Sequence, residues 1–118
     1  MSEVNLTVRT FRMGSDKEAA LKPLEESAEA FGAWQDFDSY RPRPSCYEHG
    51  YPDCTEECKI RCETYKNPRS YEVRRDELAD EIADCIQASV NLADRYDINL
   101  QAAMERCEER NRERGRYE

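Results

Sequence analysis

The chain has 118 residues, 37% of them charged and 38% apolar, with a formal net charge of −8. That length holds one domain, residues 1–118, and so small an apolar share leaves a thin core that oligomerisation commonly completes. The charge argues against a polymeric nucleic-acid partner, whose phosphates are neutralised mainly by Lys and Arg, and no apolar run reaches the ~18 residues of a membrane span.

The opening segment "MSEVNLTVRTF" lacks the basic and apolar regions of a secretory signal, so a cytoplasmic location is expected. Val4, Leu6 and Val8 alternate with polar residues, which predicts a short N-terminal strand. In "GSDKE", Ser15 precedes Glu18 by three residues, a capping-box pattern that opens a first helix. Pro23 sits early in that helix, either at a true first turn or at a kink. Leu21, Leu24, Ala28 and Phe31 then recur at helical spacing, as a stripe reaching about Gln35.

Residues 36–70 break the period and read as a long connection, with a Cys-rich insert over 41–70. The second helix is expected from about Asp76 to Tyr96, with Leu78, Ile82, Cys85, Ile86, Ser89, Ala93 and Tyr96 on its apolar face. "YDINL" makes a turn in which Asp97 or Asn99 caps the next segment. Leu100, Ala103, Met104 and Cys107 form the apolar face of a third helix. The expected class is therefore all-α.

Two acidic groups sit beside these apolar stripes. Glu25, Glu26 and Glu29 share about a quarter of the first helix's circumference, with Lys22 in the same sector. Glu77, Glu81 and Asp84 share a narrower sector of the second helix, with Asn91 two turns on. Packed stripe to stripe, the helices would bring these carboxylates together across a groove. Converging carboxylates need a cation or raised pKa values, and oxygen ligands alone favour Mg²⁺ or Mn²⁺. The alternative is that both groups are solvated faces of a chain with 26 acidic residues.

"EESAE" (Glu25 to Glu29) and "EIAD" (Glu81 to Asp84) together resemble the EExxE…ExxD signature of MazG-like nucleotide pyrophosphohydrolases. The likeness continues through "CIQASVNLADRYDINLQAAMERCEERN", where "DINL" stands in place of a common "GIDL" and Asn111 falls where a basic-Asn pair ends the domain. It covers roughly residues 16–114 apart from the insert. A second register would use Glu77 and Asp80 as the ExxD pair. The chain departs from the family in its longer link between the motifs, its strand-like start, and Cys107 where a lysine is frequent.

The resemblance implies an antiparallel helical bundle assembling as a homodimer or homotetramer. It also implies Mg²⁺-dependent cleavage of a nucleoside triphosphate to monophosphate and pyrophosphate. Glu26, Glu29, Glu81 and Asp84 would hold Mg²⁺ or Mn²⁺, and Glu25 would orient the attacking water or take its proton. Lys22, Arg110, Asn111 and Arg114 are candidates for phosphate or sugar, and Asn91 and Trp34 for the base. The same fold acting on phosphoribosyl-ATP or a modified nucleotide stays open, as does a non-enzymatic helical interaction module.

Cys54, Cys58 and Cys62 recur every four residues, with Cys46 and His49 just upstream. Four ligands from this set would satisfy a tetrahedral structural Zn²⁺ stapling the insert; free or disulfide-linked cysteines are the alternative. Cys85 and Cys107, on apolar helix faces, read as small hydrophobes.

Overall fold

A computed structural model describes residues 2–40 and 68–118 of the chain. They form three helices: α1 (Asp16–Tyr40), α2 (Pro68–Arg95) and α3 (Leu100–Glu113). None is long and apolar enough to cross a membrane. The described chain is thus all-helical outside its N-terminal arm and turns, as composition and periodicity led one to expect.

Each described helix junction has a chemical cause. Ser15 opens α1: its hydroxyl accepts from the Glu18 N–H at 3.1 Å and its carbonyl from the Ala19 N–H at 3.0 Å. Asp16 and Glu18 place negative charge in the first turn, where the helix dipole favours it. Pro23 lies inside α1, which continues through it. The α2 end is a Schellman closure: Ile98 N–H donates to Ala93 O at 3.0 Å and Asp97 N–H to Asp94 O at 3.1 Å. That closure needs a left-handed residue, and Asp97 supplies it with φ 54°. Asn99 then caps α3, its side chain accepting from Ala102 N–H at 3.0 Å. The same closure ends α3, with Gly115 at φ 70° and Arg116 N–H donating to Asn111 O at 3.0 Å.

The helices are longer than their apolar stripes. α1 runs to Tyr40 rather than Gln35, and α2 starts at Pro68 rather than Asp76. Proline suits that first position, where the backbone N–H has no helical acceptor to lose.

The chain divides into two compact units, Met1–Pro23 with Ile86–Glu118, and Leu24–Cys85. In the first, the buried apolar residues are Ala19, Ala88 and Ala93, so the interior is lined by methyl groups rather than large side chains. An N-terminal arm lies along α2 in this unit. Gln87 Nε2 donates to Arg9 O at 2.8 Å, Asn91 Oδ1 accepts from Phe11 N–H at 3.1 Å, and Arg95 donates to Met13 O at 3.0 Å and Gly14 O at 2.9 Å.

This arm corrects one expectation. Residues around Val4, Leu6 and Val8 form no strand; Val4 and Leu6 are exposed. Their alternation is real but no partner strand exists among the described residues. Just beyond them, the alternating backbone groups of Arg9, Phe11 and Met13 are satisfied by side chains one turn apart on α2.

In the second unit, α1 and α2 run antiparallel. Phe37, near the end of α1, meets Tyr71, near the start of α2, at a ring separation of 5.3 Å, while Glu26 meets Glu81 and Asp84. Within this unit the protected positions of α1 are Glu26, Ala30, Gly32, Ala33, Phe37 and Asp38. On the part of α2 in this unit, Tyr71, Leu78 and Cys85 recur every seven residues, as do Arg74 and Glu81, and all five are protected. The expected α1 stripe faces outward instead: Leu21, Leu24, Ala28 and Phe31 are all exposed. So are Ile82, Ser89 and Tyr96 of the expected α2 face.

Candidate functional site

Glu26 is the only buried charged residue in the described parts of the chain, with 7% of its surface accessible. It occupies a seam position of α1 that an apolar side chain would ordinarily fill. Glu81 occupies the corresponding kind of position on α2, half-buried, and Asp84 follows three residues later on the exposed edge. One oxygen from each of the three carboxylates lies within 4.8 Å of the others. The group therefore grades from a protected interior at Glu26 to solvent at Asp84.

Electrostatics make this arrangement costly for the protein alone. Two unit charges at that separation repel by about 3.5 kcal/mol at an effective dielectric near 20. Glu81 Oε2 is shielded from solvent and has no hydrogen-bond partner among the described residues. Three carboxylate oxygens at this spacing could hold a metal ion, and an oxygen-only donor set is the kind that hard cations prefer. The donor set contains no nitrogen or sulfur, which suits such a cation better than zinc.

The neighbouring carboxylates are placed differently. Glu25 and Glu29 are exposed on α1, and Glu29 is not a member of the three-carboxylate group. Glu77 pairs with Arg74 at 3.0 Å, and Asp80 is exposed. Of the two possible registers on α2, Glu81 and Asp84 are the pair that converges with Glu26. Trp34 stacks on Phe31 with ring centroids 5.7 Å apart, both rings exposed.

No protein-family model, curated protein or solved structure matches this chain. Geometry must therefore carry the functional argument.

Of the residues proposed for substrate, Lys22, Asn91, Arg110, Asn111 and Arg114 belong to the first unit and Trp34 to the second. Asn91 is buried, and its Oδ1 accepts from Phe11 N–H and from Gln87 Nε2 at 2.9 Å. Asn111 donates to Tyr117 Oη at 3.4 Å and to Cys107 Sγ at 3.7 Å. Arg110 is exposed in the last turn of α3, Arg114 caps that helix, and Lys22 is half-buried on α1. Cys85 and Cys107 are free thiols of intermediate burial. The zinc candidates Cys46, His49, Cys54, Cys58 and Cys62 lie outside the described residues.

Sequence reading overlooked Gln87 and Arg95. Both had a signal: with Asn91 they recur every four residues, which puts three polar side chains on one line of α2.

Proposed function

We propose that this chain is a Mg²⁺-dependent nucleoside triphosphate pyrophosphohydrolase, yielding a monophosphate and pyrophosphate. The observation that carries the reading is the convergence of Glu26, Glu81 and Asp84, three of the four metal ligands implied by the resemblance of EESAE and EIAD to the MazG-like signature. A divalent cation there would polarise phosphate oxygens and acidify water.

Each carboxylate has a distinct task. Glu26, buried, and Glu81, half-buried, would form the fixed side of the site. Asp84, at the exposed edge, would hold the cation on the side open to the triphosphate. Glu29, one turn beyond Glu26 and exposed, would be a fourth ligand to the cation. Glu25 accepts the proton of the attacking water from its exposed position. Lys22, Asn91, Arg110 and Asn111 are the candidates for phosphate, sugar and base.

A homodimer or homotetramer belongs to the same proposal. Leu24, Phe31, Trp34 and Ile82 in the second unit each keep between 45% and 68% of their surface exposed. Such a set is a natural seat for another copy.

The deciding experiment measures pyrophosphate release from a ribo- and deoxynucleoside triphosphate panel with Mg²⁺. Release that Glu81→Gln and Asp84→Asn each cut by at least a hundredfold supports the reading. Absence of release from every nucleotide, or release indifferent to both variants, overturns it.

A further inference from the structure

The N-terminal arm of the first unit runs extended beside α2. Arg9 O, Phe11 N–H and Met13 O meet Gln87, Asn91 and Arg95 in turn, so two arm residues match one turn of helix. Two extended residues span about 6.6 Å and four helical residues about 6 Å, which lets the contacts repeat. Along an extended chain, alternate residues turn their N–H and C=O groups to opposite sides. Arg9, Phe11 and Met13 direct theirs toward α2, and on the same course Val4, Leu6 and Val8 direct theirs away from it. The backbone groups of Val4, Leu6 and Val8 form no hydrogen bond among the described residues. Val4 and Leu6 also carry exposed apolar side chains.

An open backbone edge of this kind is a template for another strand, and the segment is complementary to itself. Set antiparallel with Leu6 against Leu6, residues 3–9 place Glu3 opposite Arg9, Val4 opposite Val8 and Asn5 opposite Thr7. The apolar side chains then share one face and the polar ones the other. Glu3 and Arg9 are exposed and form no ion pair among the described residues, so both are open to that pairing. Opposite charges facing each other across strands stabilise, and like charges do the reverse. A parallel pair in register would set Glu3 against Glu3 and Arg9 against Arg9. A slip of one residue would face Val4 and Leu6 with polar side chains, and a slip of two would part the charge pairs.

We infer that residues 3–9 form a two-stranded antiparallel ribbon with the same segment of a second copy, about a two-fold axis at Leu6. Leu6 exchanges two backbone hydrogen bonds with its counterpart, and Val4 and Val8 exchange two at each end, about six in all. These are the backbone groups that α2 leaves unpaired. Anchorage of Arg9, Phe11 and Met13 on α2 lowers the ordering cost of the strand. A lone two-stranded ribbon is marginal in water, so the contact is weak and forms in concentrated protein. It rests on neither the hydrolase reading nor the α1 stripe, and each can fail alone.

The test is sedimentation equilibrium of the full chain from dilute to concentrated protein, over which the mass is expected to rise at least twofold. Glu3→Arg and Arg9→Glu each set like charges across the ribbon twice and should weaken this association about tenfold or more. Mixed in equal amounts, the two variants restore opposite charges at both ends of a mixed ribbon. The mixture should recover association to within about threefold of the unaltered protein. Both substitutions alter exposed side chains, and circular dichroism should show unchanged helicity. A mass independent of concentration, association indifferent to either substitution, or a mixture no better than its components overturns the inference. Association that survives both substitutions but is lost in Leu24→Glu/Phe31→Glu belongs to the stripe and equally removes the ribbon.

Discussion

Arg95 and Asp16, 79 residues apart, are joined by a 2.6 Å charge-assisted hydrogen bond that closes the first unit. The same guanidinium donates to Met13 O and Gly14 O, so one side chain ties the arm, the start of α1 and the end of α2 together. Its side chain is 16% exposed against 73% for Asp16, so the carbonyl bonds contribute more than the screened ion pair. Arg95→Ala should lower stability by about 2–3 kcal/mol in urea unfolding, and Arg95→Lys should recover less than half, because an ammonium cannot span three acceptors with the guanidinium's planar fork. A loss below 0.5 kcal/mol would mean the arm is not held by this residue.

The turn between α2 and α3 makes an opposing pair of predictions. Asp97 sits at φ 54°, which glycine adopts without a Cβ penalty, so Asp97→Gly should stabilise the protein by about 0.5–1 kcal/mol. Two residues later Asn99 caps α3, and Asn99→Ala should destabilise by about 1 kcal/mol. Thermal unfolding of both variants reads the signs directly. Shifts in the same direction would contradict the assigned turn.

These termini were the most legible part of the sequence, because a cap is decided by residues three or four apart. Ser15 and Asn99 act as their positions suggested. The packed faces were harder to read. Hydrophobic periodicity picked Leu21, Leu24, Ala28 and Phe31, whereas the protected positions of α1 include Lys22, Glu26 and Asp38 beside Ala19, Ala30, Ala33 and Phe37. A pattern that equates inward with apolar cannot find a seam occupied by alanines and a glutamate. The helix extensions 36–40 and 68–75 were missed because their aromatic and charged residues carry a weak apolar period. The carboxylate convergence was legible only when "EESAE" and "EIAD" were taken together, since neither helix alone distinguishes a ligand from solvated charge.

Glu81 offers a test of the metal site that needs no substrate. Its shielded oxygen and its two acidic neighbours are expected to cost the metal-free fold stability. Glu81→Gln should therefore raise metal-free stability by about 1–3 kcal/mol, since one repelling charge is removed. Mg²⁺ at ten times its Kd should stabilise the unaltered protein by about 1.4 kcal/mol and the variant by far less. Calorimetric melting with and without Mg²⁺ separates these outcomes. A variant that is less stable without metal and equally Mg²⁺-responsive would show that Glu81 is structural.

The outward stripe on α1 supplies the final prediction. In a lone chain, Leu24 at 68% and Phe31 at 59% exposure contribute little burial, so charged replacements there should leave stability nearly unchanged. If another copy covers them, each side chain is buried on assembly and contributes about 1.5–3 kcal/mol, and a buried charge costs still more. The double variant Leu24→Glu/Phe31→Glu should then shift the light-scattering mass of the purified protein to that of a 13.9 kDa monomer while its helicity persists at high concentration. Asp80→Lys, also at an exposed position but on the charged part of α2, serves as the control and should leave the assembled mass unchanged. A protein that is monomeric before substitution, or a double variant that keeps the assembled mass, removes the stripe as the seat of self-association.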